Sequence, residues 1–255
     1  MGALQPLFSG SSGNAVLIKS KSHSLLVDAG VSGKRIVEAL SMHHQTGSTL
    51  SGILITHEHA DHIRSVGTLA RKFHLPIYAS EGTWGAMLPQ IGDIPFPLIR
   101  AFSSDTTFDI GDIRVSTFSI PHDAAEPVGF TFECEGKKTA LCTDVGAMNE
   151  KIFLRLSGSE EVLLESNYDI VMLQKGTYPF HLKKRILGEK GHLSNKEAAT
   201  VCARLASLGT KKIILGHLSQ ENNTPQLAYE AAKLYIENCG IEVGRDIKLS
   251  VANRA

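Results

Sequence analysis

The stretch ITHEHADH, residues 55–62, places three histidines and one aspartate within six positions. The run before it, GILI at 52–55, is short, apolar and β-branched, which is typical of a buried strand. Just past a strand the chain is still extended and residues two apart point the same way, so His57 and His59 can face one ion together. Imidazole and carboxylate groups at these offsets predict a metal site rather than a loop of solvated histidines.

The residues after this stretch predict a helix. Apolar side chains recur there at helical spacing, at Ile63, Val66, Leu69 and Ala70. Asp61 and His62 would then lie at the start of that helix and face a second ion. The stretch therefore predicts half of a two-metal site, and the remaining ligands should follow other strands.

Composition bounds the class of protein. With 255 residues, 42% hydrophobic and 20% charged, the chain suits a soluble globular protein that forms one domain over residues 1–255. Its 26 basic and 26 acidic residues give a net charge of zero, so the chain as a whole is not attracted to nucleic acid or membrane. A local basic patch could still bind either one. The four cysteines form no CxxC pair and are expected to be buried thiols of a reducing compartment. No leader or apolar run of transmembrane length is visible, which predicts a cytoplasmic protein with no membrane partner.

Short strands and helices alternate in both halves of the chain. Strands are predicted at residues 4–8, 14–19, 24–28, 52–55, 76–79, 113–120, 129–135, 139–143, 162–166 and 211–215. Helices are predicted at 32–42, after the histidine stretch, at about 196–208 behind a capping box of Ser194 and Glu197, and from Pro225 onward. This order favours an α/β protein with two mixed sheets face to face and helices outside over a single parallel sheet.

Three further candidate ligands follow predicted strands. They are His122, Asp144 and His217. Each alone is more often a turn former or a helix cap, because Asp and His are common after strands. Together with the histidine stretch they complete a recognisable order of ligands.

The order Asp28, HxHxDH, His122, Asp144 and His217 resembles the metallo-β-lactamase superfamily, and most closely its YycJ/WalJ-like metallohydrolase branch, near tRNase Z and RNase J. The supporting stretches are FSGSSGN (8–14), LLVDAGVSGKRI (25–36), THEHADHIRSVGTLARKFHLPIYASEGTW (56–84), PHDAAEPVGF (121–130), LLESNYD (163–169), KGHLSN (190–195) and LGHLSQENN (215–223). The resemblance implies a four-layer αββα sandwich. The chain between Asp144 and His217 is too short for the β-CASP-type domain that RNase J-like enzymes insert there, and Val145 stands where this branch is expected to have Thr.

The resemblance also implies roles for these residues. His57, His59 and His122 would hold one ion, Asp61, His62 and His217 the other, and Asp144 would bridge them. Asp61 is further expected to act in catalysis. Asp28 would hydrogen-bond into the HxHxDH loop and orient its ligands, although a plain turn aspartate at a strand end is an equal alternative.

Two histidines late in the chain follow glycine, and only one is expected to bind metal. His217 is favoured because it directly follows an apolar strand. By the resemblance, His192 would pair with Glu165 near the leaving group and protonate the departing oxygen. The alternative for Glu165 is a surface carboxylate at a strand end.

The expected ligands include no thiolate, which permits Zn²⁺, Mn²⁺ or Fe. Two divalent ions and two carboxylates leave a net positive site that favours an anionic substrate. Such a pair can hold a hydroxide for in-line attack at phosphorus, so a dinuclear phosphodiesterase is predicted. The loop side chains Ser11, Ser12 and Asn14 are candidate phosphate contacts, with a plain turn as the alternative.

The resemblance favours a nuclease with DNA as its partner, acting as a 5′-to-3′ exonuclease. The run Lys183-Lys184-Arg185 just before His192 could grip a nucleic-acid backbone. One alternative is a small-molecule hydrolase of the same fold that acts on a cyclic phosphodiester, lactone or thioester. A metal-stabilised interaction module without activity is the other.

Overall fold

Strands and helices alternate along the chain, which a computed structural model describes from residue 4 to residue 254. The described residues fall into two compact units. The first runs to Ser119 and includes Ala124–Gly136 and the end of the chain from Asn253, and the second comprises Ile120–Asp123 and Lys137–Ala252. The single domain expected from the sequence stays a prediction.

The first unit contains a six-stranded sheet whose strands follow chain order. They are β1 (Leu4–Phe8), β2 (Ala15–Lys19), β3 (Ser24–Val27), β4 (Gly52–Leu54), β5 (Ile77–Ser80) and β6 (Ile99–Phe102). The first three strands are antiparallel, and β3 to β6 are parallel. The carboxyl ends of β3 and β4 therefore meet at one edge, where Asp28 and the histidine stretch emerge.

Four α-helices of the first unit connect or follow these strands. They are α1 (Gly33–Met42), α2 (Ala60–Ile63), α3 (Val66–Phe73) and α4 (Glu81–Ile91). The same unit has an antiparallel ribbon of β7 (Thr107–Ile110), β8 (Ile113–Ser119) and β9 (Val128–Cys134). The unit's core cluster includes Leu17, Ile53 and Met87, all fully buried, so the sheet and helices share one apolar interior.

The helix predicted after the histidine stretch is interrupted at Ser65. The backbone N–H of Ser65 donates to Ala29 O at 2.9 Å, and its hydroxyl donates to Val31 O at 2.6 Å. These bonds draw Ser65 toward the loop after β3 and take it out of helical conformation, with ψ at 4°. As a result α2 is a single turn that carries Asp61 and His62, and α3 begins anew at Val66.

The second unit is built on parallel strands. They are β10 (Lys137–Cys142), β11 (Glu161–Glu165), β12 (Lys212–Gly216) and β13 (Lys248–Val251), paired in that order. The central runs VLL of β11 and IIL of β12 are buried, as expected for parallel strands covered on both faces. The carboxyl ends of these strands lie at one edge and present Asp144, Glu165 and His217.

The helices of the second unit are α5 (Glu150–Leu156), α6 (Ile170–Lys175), α7 (Phe180–Ile186), α8 (Asn195–Ser207) and α9 (Pro225–Glu237). The capping box at the start of α8 is confirmed: Glu197 N donates to Ser194 Oγ, and Ser194 N donates to Glu197 Oε2 at 2.9 Å. No helix in the described part of the chain could span a membrane. Three of the four cysteines are buried, but Cys239 is exposed, which corrects the expectation of four buried thiols.

Candidate metal centre

The first unit holds the histidine stretch in place through its backbone. Thr56 O accepts from Val128 N at 3.0 Å, Asp61 O from Asn14 N at 2.9 Å, and His62 O from Ala29 N at 2.7 Å. His57 and His62 are fully buried, whereas His59 and Asp61 are partly exposed. Ligand side chains that are fixed and only partly open to solvent suit a metal site.

Asp28 orients two of these histidines. It follows β3 in a left-handed conformation, φ 61°, which is uncommon for residues other than glycine but enriched in Asn, Asp and His. Its Oδ1 accepts from Thr56 N at 2.9 Å, and its Oδ2 accepts from Thr56 Oγ1 and from His62 Nδ1, each at 2.8 Å. With its proton directed at Asp28, Thr56 Oγ1 is able to accept from His57 Nδ1 at 3.0 Å. Both imidazoles therefore have Nδ1 held by protein, which leaves Nε2 as the ligand atom.

Asn14 lies inside the loop rather than on its surface. Its Oδ1 accepts from Gly10 N at 3.0 Å, and its Nδ2 donates to Gly10 O at 3.1 Å. The same amide nitrogen lies 3.0 Å from His62 Nε2 and 3.4 Å from Asp61 Oδ2. Asn14 thus contacts the expected ligands instead of facing outward to a phosphate, while Ser11 is exposed and Ser12 partly exposed.

Gly30 lets the loop after β3 lie directly against the histidine stretch. A Cβ on Gly30 would lie 1.5 Å from Asp61 O and 2.8 Å from Asn14 N. Both are backbone atoms, which cannot move aside as the end of a flexible side chain can. Gly30 N also donates to Asn14 O at 2.8 Å. Only glycine fits this position.

Replacement of Gly30 by alanine is therefore expected to lower the free energy of unfolding by more than about 3 kcal/mol and to abolish metal binding by the stretch. Gly85→Ala is the matched control, because Gly85 lies inside α4 and a Cβ there would meet no atom of the described residues within 4 Å. Thermal unfolding followed by circular dichroism measures the stability of both variants. A Gly30→Ala protein as stable as the Gly85→Ala protein would contradict this close approach.

In the second unit His122, Asp144 and His217 converge. Asp144 Oδ1 lies 3.8 Å from His122 Nε2 and 3.4 Å from His217 Nε2. His122 Nδ1 donates to Gly191 O at 3.2 Å, and His217 Nδ1 donates to Glu165 Oε1 at 2.8 Å. Since each Nδ1 donates to a protein oxygen, each Nε2 is the atom directed toward Asp144 Oδ1. Two imidazole Nε2 atoms that converge on a carboxylate are a donor set that divalent metals take, so these residues fit a divalent metal.

Backbone conformation and pKa also support His122, Asp144 and His217 as candidate metal ligands. Asp144 and His217 are both left-handed, with φ 58° and 55°; Asp144 comes two residues after the end of β10, and His217 directly after β12. Burial lowers the pKa of His122 below its usual value, against an opposing effect of Asp144. A buried imidazole that stays neutral retains the lone pair that a metal needs.

Glu165 is fully buried and is shared between two histidines. Its Oε1 accepts from His192 Nδ1 and from His217 Nδ1, each at 2.8 Å. Its Oε2 accepts from the backbone N–H groups of Val145 at 2.9 Å and Leu193 at 3.1 Å. Burial acts to raise the pKa of Glu165, but the two imidazoles outweigh it and hold the pKa below its ordinary range. The surface alternative for Glu165 is wrong, and the carboxylate has a second partner that the sequence did not indicate.

The contact with Val145 also explains why the departure from Thr at this position is tolerated. The donor to Glu165 is the backbone N–H of Val145, which any residue except proline supplies. The side chain of Val145 is fully buried.

His192 lies between two of the candidate ligands and shares its carboxylate partner with one of them. Its ring centroid is 5.2 Å from that of His122 and 5.3 Å from that of His217, and its side chain is 16% exposed. His192 N donates to Ile186 O at 3.1 Å. A Cβ on Gly191 would lie 2.2 Å from the same oxygen, so the preceding residue must be glycine. The second unit thus brings His192 to its three candidate ligands.

A buried amide network supports the loops that carry His192 and His217. Asn223 Nδ2 donates to Asn195 Oδ1 at 2.8 Å and to the carbonyls of Ser166 at 2.9 Å and Asn167 at 3.0 Å. Asn167 Nδ2 donates in turn to His217 O at 2.8 Å. The stretches LLESNYD, KGHLSN and LGHLSQENN therefore meet in one network.

Sequence reasoning missed Glu126, within PHDAAEPVGF. Its Oε2 accepts from Gly82 N at 2.7 Å, and its carbonyl accepts from Ser80 Oγ at 2.8 Å, so it fixes the start of α4. Its Oε1 accepts from Ser104 N at 3.2 Å. Partial burial acts to raise the pKa of Glu126, and the hydrogen bonds from Ser104 and Gly82 lower it by more.

The run Lys183-Lys184-Arg185 is partly engaged within the protein. Lys183 Nζ donates to Gln174 O at 2.8 Å and to Gly176 O at 2.7 Å, which caps the end of α6. Arg185 pairs with Asp123, the neighbour of His122, through Nε and through Nη2 at 3.1 Å. The side chain of Lys184 is exposed, and that of Arg185 stays half-exposed although it is paired.

Comparison with known proteins agrees with the resemblance. A family model described as "Beta-lactamase superfamily domain" matches residues 23–218. Exodeoxyribonuclease YycJ of Bacillus anthracis is 41% identical over 95% of this chain and 92% of its own length. The chain belongs to the metallo-β-lactamase superfamily. Exodeoxyribonuclease WalJ of Streptococcus pneumoniae is 39% identical over 95% of this chain and 91% of its own length.

Solved structures of the metallo-β-lactamase superfamily show the same fold. The crystal structure of the metallo-β-lactamase fold protein YhfI from Bacillus subtilis aligns with a TM-score of 0.73, covering 99% of this chain and 97% of that one at 16% identity. The α/β metallo-β-lactamase fold predicted from the sequence is thereby confirmed.

Proposed function

We propose that this chain is a metal-dependent exodeoxyribonuclease, a phosphodiesterase that removes nucleotides from a DNA end in the 5′-to-3′ direction. The names of two similar curated relatives support DNA as substrate. One structural observation carries the proposed chemistry: buried Glu165 holds both His217, a candidate ligand, and His192. A cytoplasmic location, where DNA is accessible, belongs to the proposal.

Seven residues are proposed as metal ligands. They are His57, His59, Asp61 and His62 of the first unit, and His122, Asp144 and His217 of the second. Four of the imidazoles have Nδ1 held by a protein oxygen, which presents Nε2 for coordination. This donor set suits two divalent ions, Zn²⁺ or Mn²⁺ with Fe as a third option. Such ions, when bound, lower the pKa of water and neutralise charge that develops on a phosphodiester.

His192 is proposed to protonate the departing oxygen of the DNA backbone. Glu165 accepts from His192 Nδ1, which fixes the orientation of the ring and leaves Nε2 as the atom that can carry a proton to the leaving group. A protonated ring held in this way can deliver its other proton, on Nε2, to the leaving alkoxide. Asp61, fixed through its own carbonyl by Asn14 N, is proposed both to bind metal and to orient the attacking water.

A panel of substrates tests this function. Protein loaded with Mn²⁺ or Zn²⁺ is given double- and single-stranded DNA and RNA, each labelled at one end, with His59→Ala as control. We expect the unsubstituted protein to release nucleotides stepwise from the 5′ end of DNA, and the His59→Ala protein to lose this activity.

Assays of the same metal-loaded protein on a cyclic phosphodiester, a lactone and a thioester, run beside this panel, separate the alternatives. Turnover of a cyclic phosphodiester, lactone or thioester without cleavage of any polymer would replace the nuclease with a small-molecule hydrolase. Absence of every activity in protein that has bound metal would leave an interaction module.

A further inference from the structure

Helix α7, whose last residue Ile186 bonds to His192, exposes an aromatic side chain at its other end. Phe180, its first residue, is 83% exposed. The inward side of α7 packs through Ile186 and Leu182 onto a small cluster with Leu173 of α6. Phe180, Lys184 and Leu187 follow the spacing i, i+4, i+7, so they share the outward face. Packing of this unit does not account for an exposed phenylalanine on an otherwise anchored helix.

The segment around α7 is strongly basic in a chain whose net charge is zero. Residues 174–190 contain five Lys or Arg residues and a single acidic residue, Glu189. Lys183 and Arg185 are engaged by the end of α6 and by Asp123, and these bonds fix the helix. The exposed lysines of the segment are Lys175, Lys184 and Lys190. An anchored basic segment with an exposed aromatic ring matches what single-stranded nucleic acid requires.

The position of α7 connects this face to the candidate reaction residues of the same unit. The helix ends at Ile186, whose carbonyl accepts from His192 N at 3.1 Å. Arg185 pairs with Asp123, directly after His122. Six residues of helix place Phe180 about 9 Å along the axis from Ile186, so a strand lying along α7 would reach toward His192.

We propose that the outward face of α7 holds a single-stranded polynucleotide, with Phe180 stacked on a base and Lys184 beside a backbone phosphate. This inference rests on the proposed nuclease function and names its strand-holding surface. A single strand is favoured over a duplex because a ring stacks only on a base face that is not already covered by a neighbouring base. An anionic membrane surface is the competing occupant, since exposed apolar and basic side chains also occur on membrane-surface helices.

Equilibrium binding tests the aromatic contact without relying on catalysis. The full chain in chelator is titrated against a fluorescent oligothymidylate, and anisotropy is recorded. Phe180→Ala is expected to raise Kd about tenfold, the size of a typical base–aromatic stacking loss. Phe96→Ala is the matched control, because Phe96 is 86% exposed in the first unit and is expected to leave Kd unchanged. On an abasic strand of equal length, Phe180→Ala and the unsubstituted chain should bind alike.

Salt dependence tests the phosphate contact. Lys184→Ala is expected to reduce the slope of log Kd against log salt by about 0.7, the value for one phosphate of a single strand. Lys151→Ala, an exposed lysine of α5, should leave the slope unchanged, and so should Phe180→Ala.

The outcomes separate this inference from the proposed function. Equal affinities of the Phe180→Ala and Phe96→Ala proteins, in a chain that binds and degrades DNA, would overturn the strand-holding face alone. Failure of the chain to bind any oligonucleotide would overturn the nuclease as well. Binding to phosphatidylglycerol vesicles, lost in Phe180→Ala while oligonucleotides are ignored, would assign the face to a membrane surface.

Discussion

Replacement of Glu165 by glutamine is expected to weaken metal binding by roughly 10- to 100-fold, the usual effect of losing a carboxylate that orients a ligand histidine. Glutamine keeps the shape of the side chain but removes the charge that two imidazoles share. Its NH₂ group cannot accept a hydrogen bond. In one orientation it would face the backbone N–H donors of Val145 and Leu193, and in the other the N–H donors of the two rings. DNA hydrolysis should fall at least as far as metal affinity, because His192 loses the same partner.

Metal content after dialysis against a competing chelator, measured by mass spectrometry, checks this expectation. Glu161→Gln is the matched control, because Glu161 opens the same strand and its side chain pairs with Lys212 at 3.5 Å. Retention of metal and activity by Glu165→Gln, equal to that of Glu161→Gln, would show that Glu165 does not organise the site.

Replacement of His192 by alanine is expected to lower DNA hydrolysis by about 10²- to 10⁴-fold while metal content stays unchanged, as for loss of a general acid. The leaving group decides the size of the effect. A DNA alkoxide needs a proton, whereas a nitrophenolate leaves without one. Hydrolysis of bis-p-nitrophenyl phosphate should therefore fall less than about tenfold in the same variant.

Two results would contradict this role for His192. Equal losses on DNA and on the nitrophenyl ester would mean that the residue acts elsewhere than at the leaving group. Loss of metal in His192→Ala would make His192 a ligand. This alternative is concrete, because His192 lies in a group with Asp144, Glu165 and His217 that could hold a metal ion.

The candidate ligands could be found from the sequence because they follow strands or, for Asp61 and His62, start the helix after one. The edge formed by the carboxyl ends of parallel strands gathers residues that are far apart in the chain. Asp144 and His217 lie at such ends of β10 and β12, and Asp28 at the end of β3. Their left-handed backbone could not be predicted, since an Asp or His after a strand adopts it only where neighbouring contacts enforce it.

The supporting contacts were beyond sequence reasoning. Glu165 could be paired with His192 by resemblance, but its burial and its second bond to His217 depend on the packing of β11 beside β12. The close approach of Gly30 to Asp61 likewise joins loops 31 positions apart. Such contacts leave no periodic signal in a single chain.

Secondary structure was predicted best where it was periodic. Helix α4 was missed because Gly82, Gly85 and Pro89 are poor helix formers, and burial of Trp84 and Met87 stabilises it instead. The break at Ser65 was missed for a different reason. Its apolar neighbours fit one helix, but two hydrogen bonds to the loop after β3 outweigh that pattern.

Titration of metal-stripped protein with Mn²⁺ or Zn²⁺, with nucleotide release from 5′-labelled DNA measured at each addition, tests whether the chain is a dinuclear exodeoxyribonuclease. We expect no release from stripped protein, and release that rises and levels off at two equivalents of metal per chain. His62→Ala and His217→Ala should bind fewer than two equivalents and release little. Release that is the same with and without metal, or no release from protein that has bound two equivalents, would contradict a dinuclear exodeoxyribonuclease.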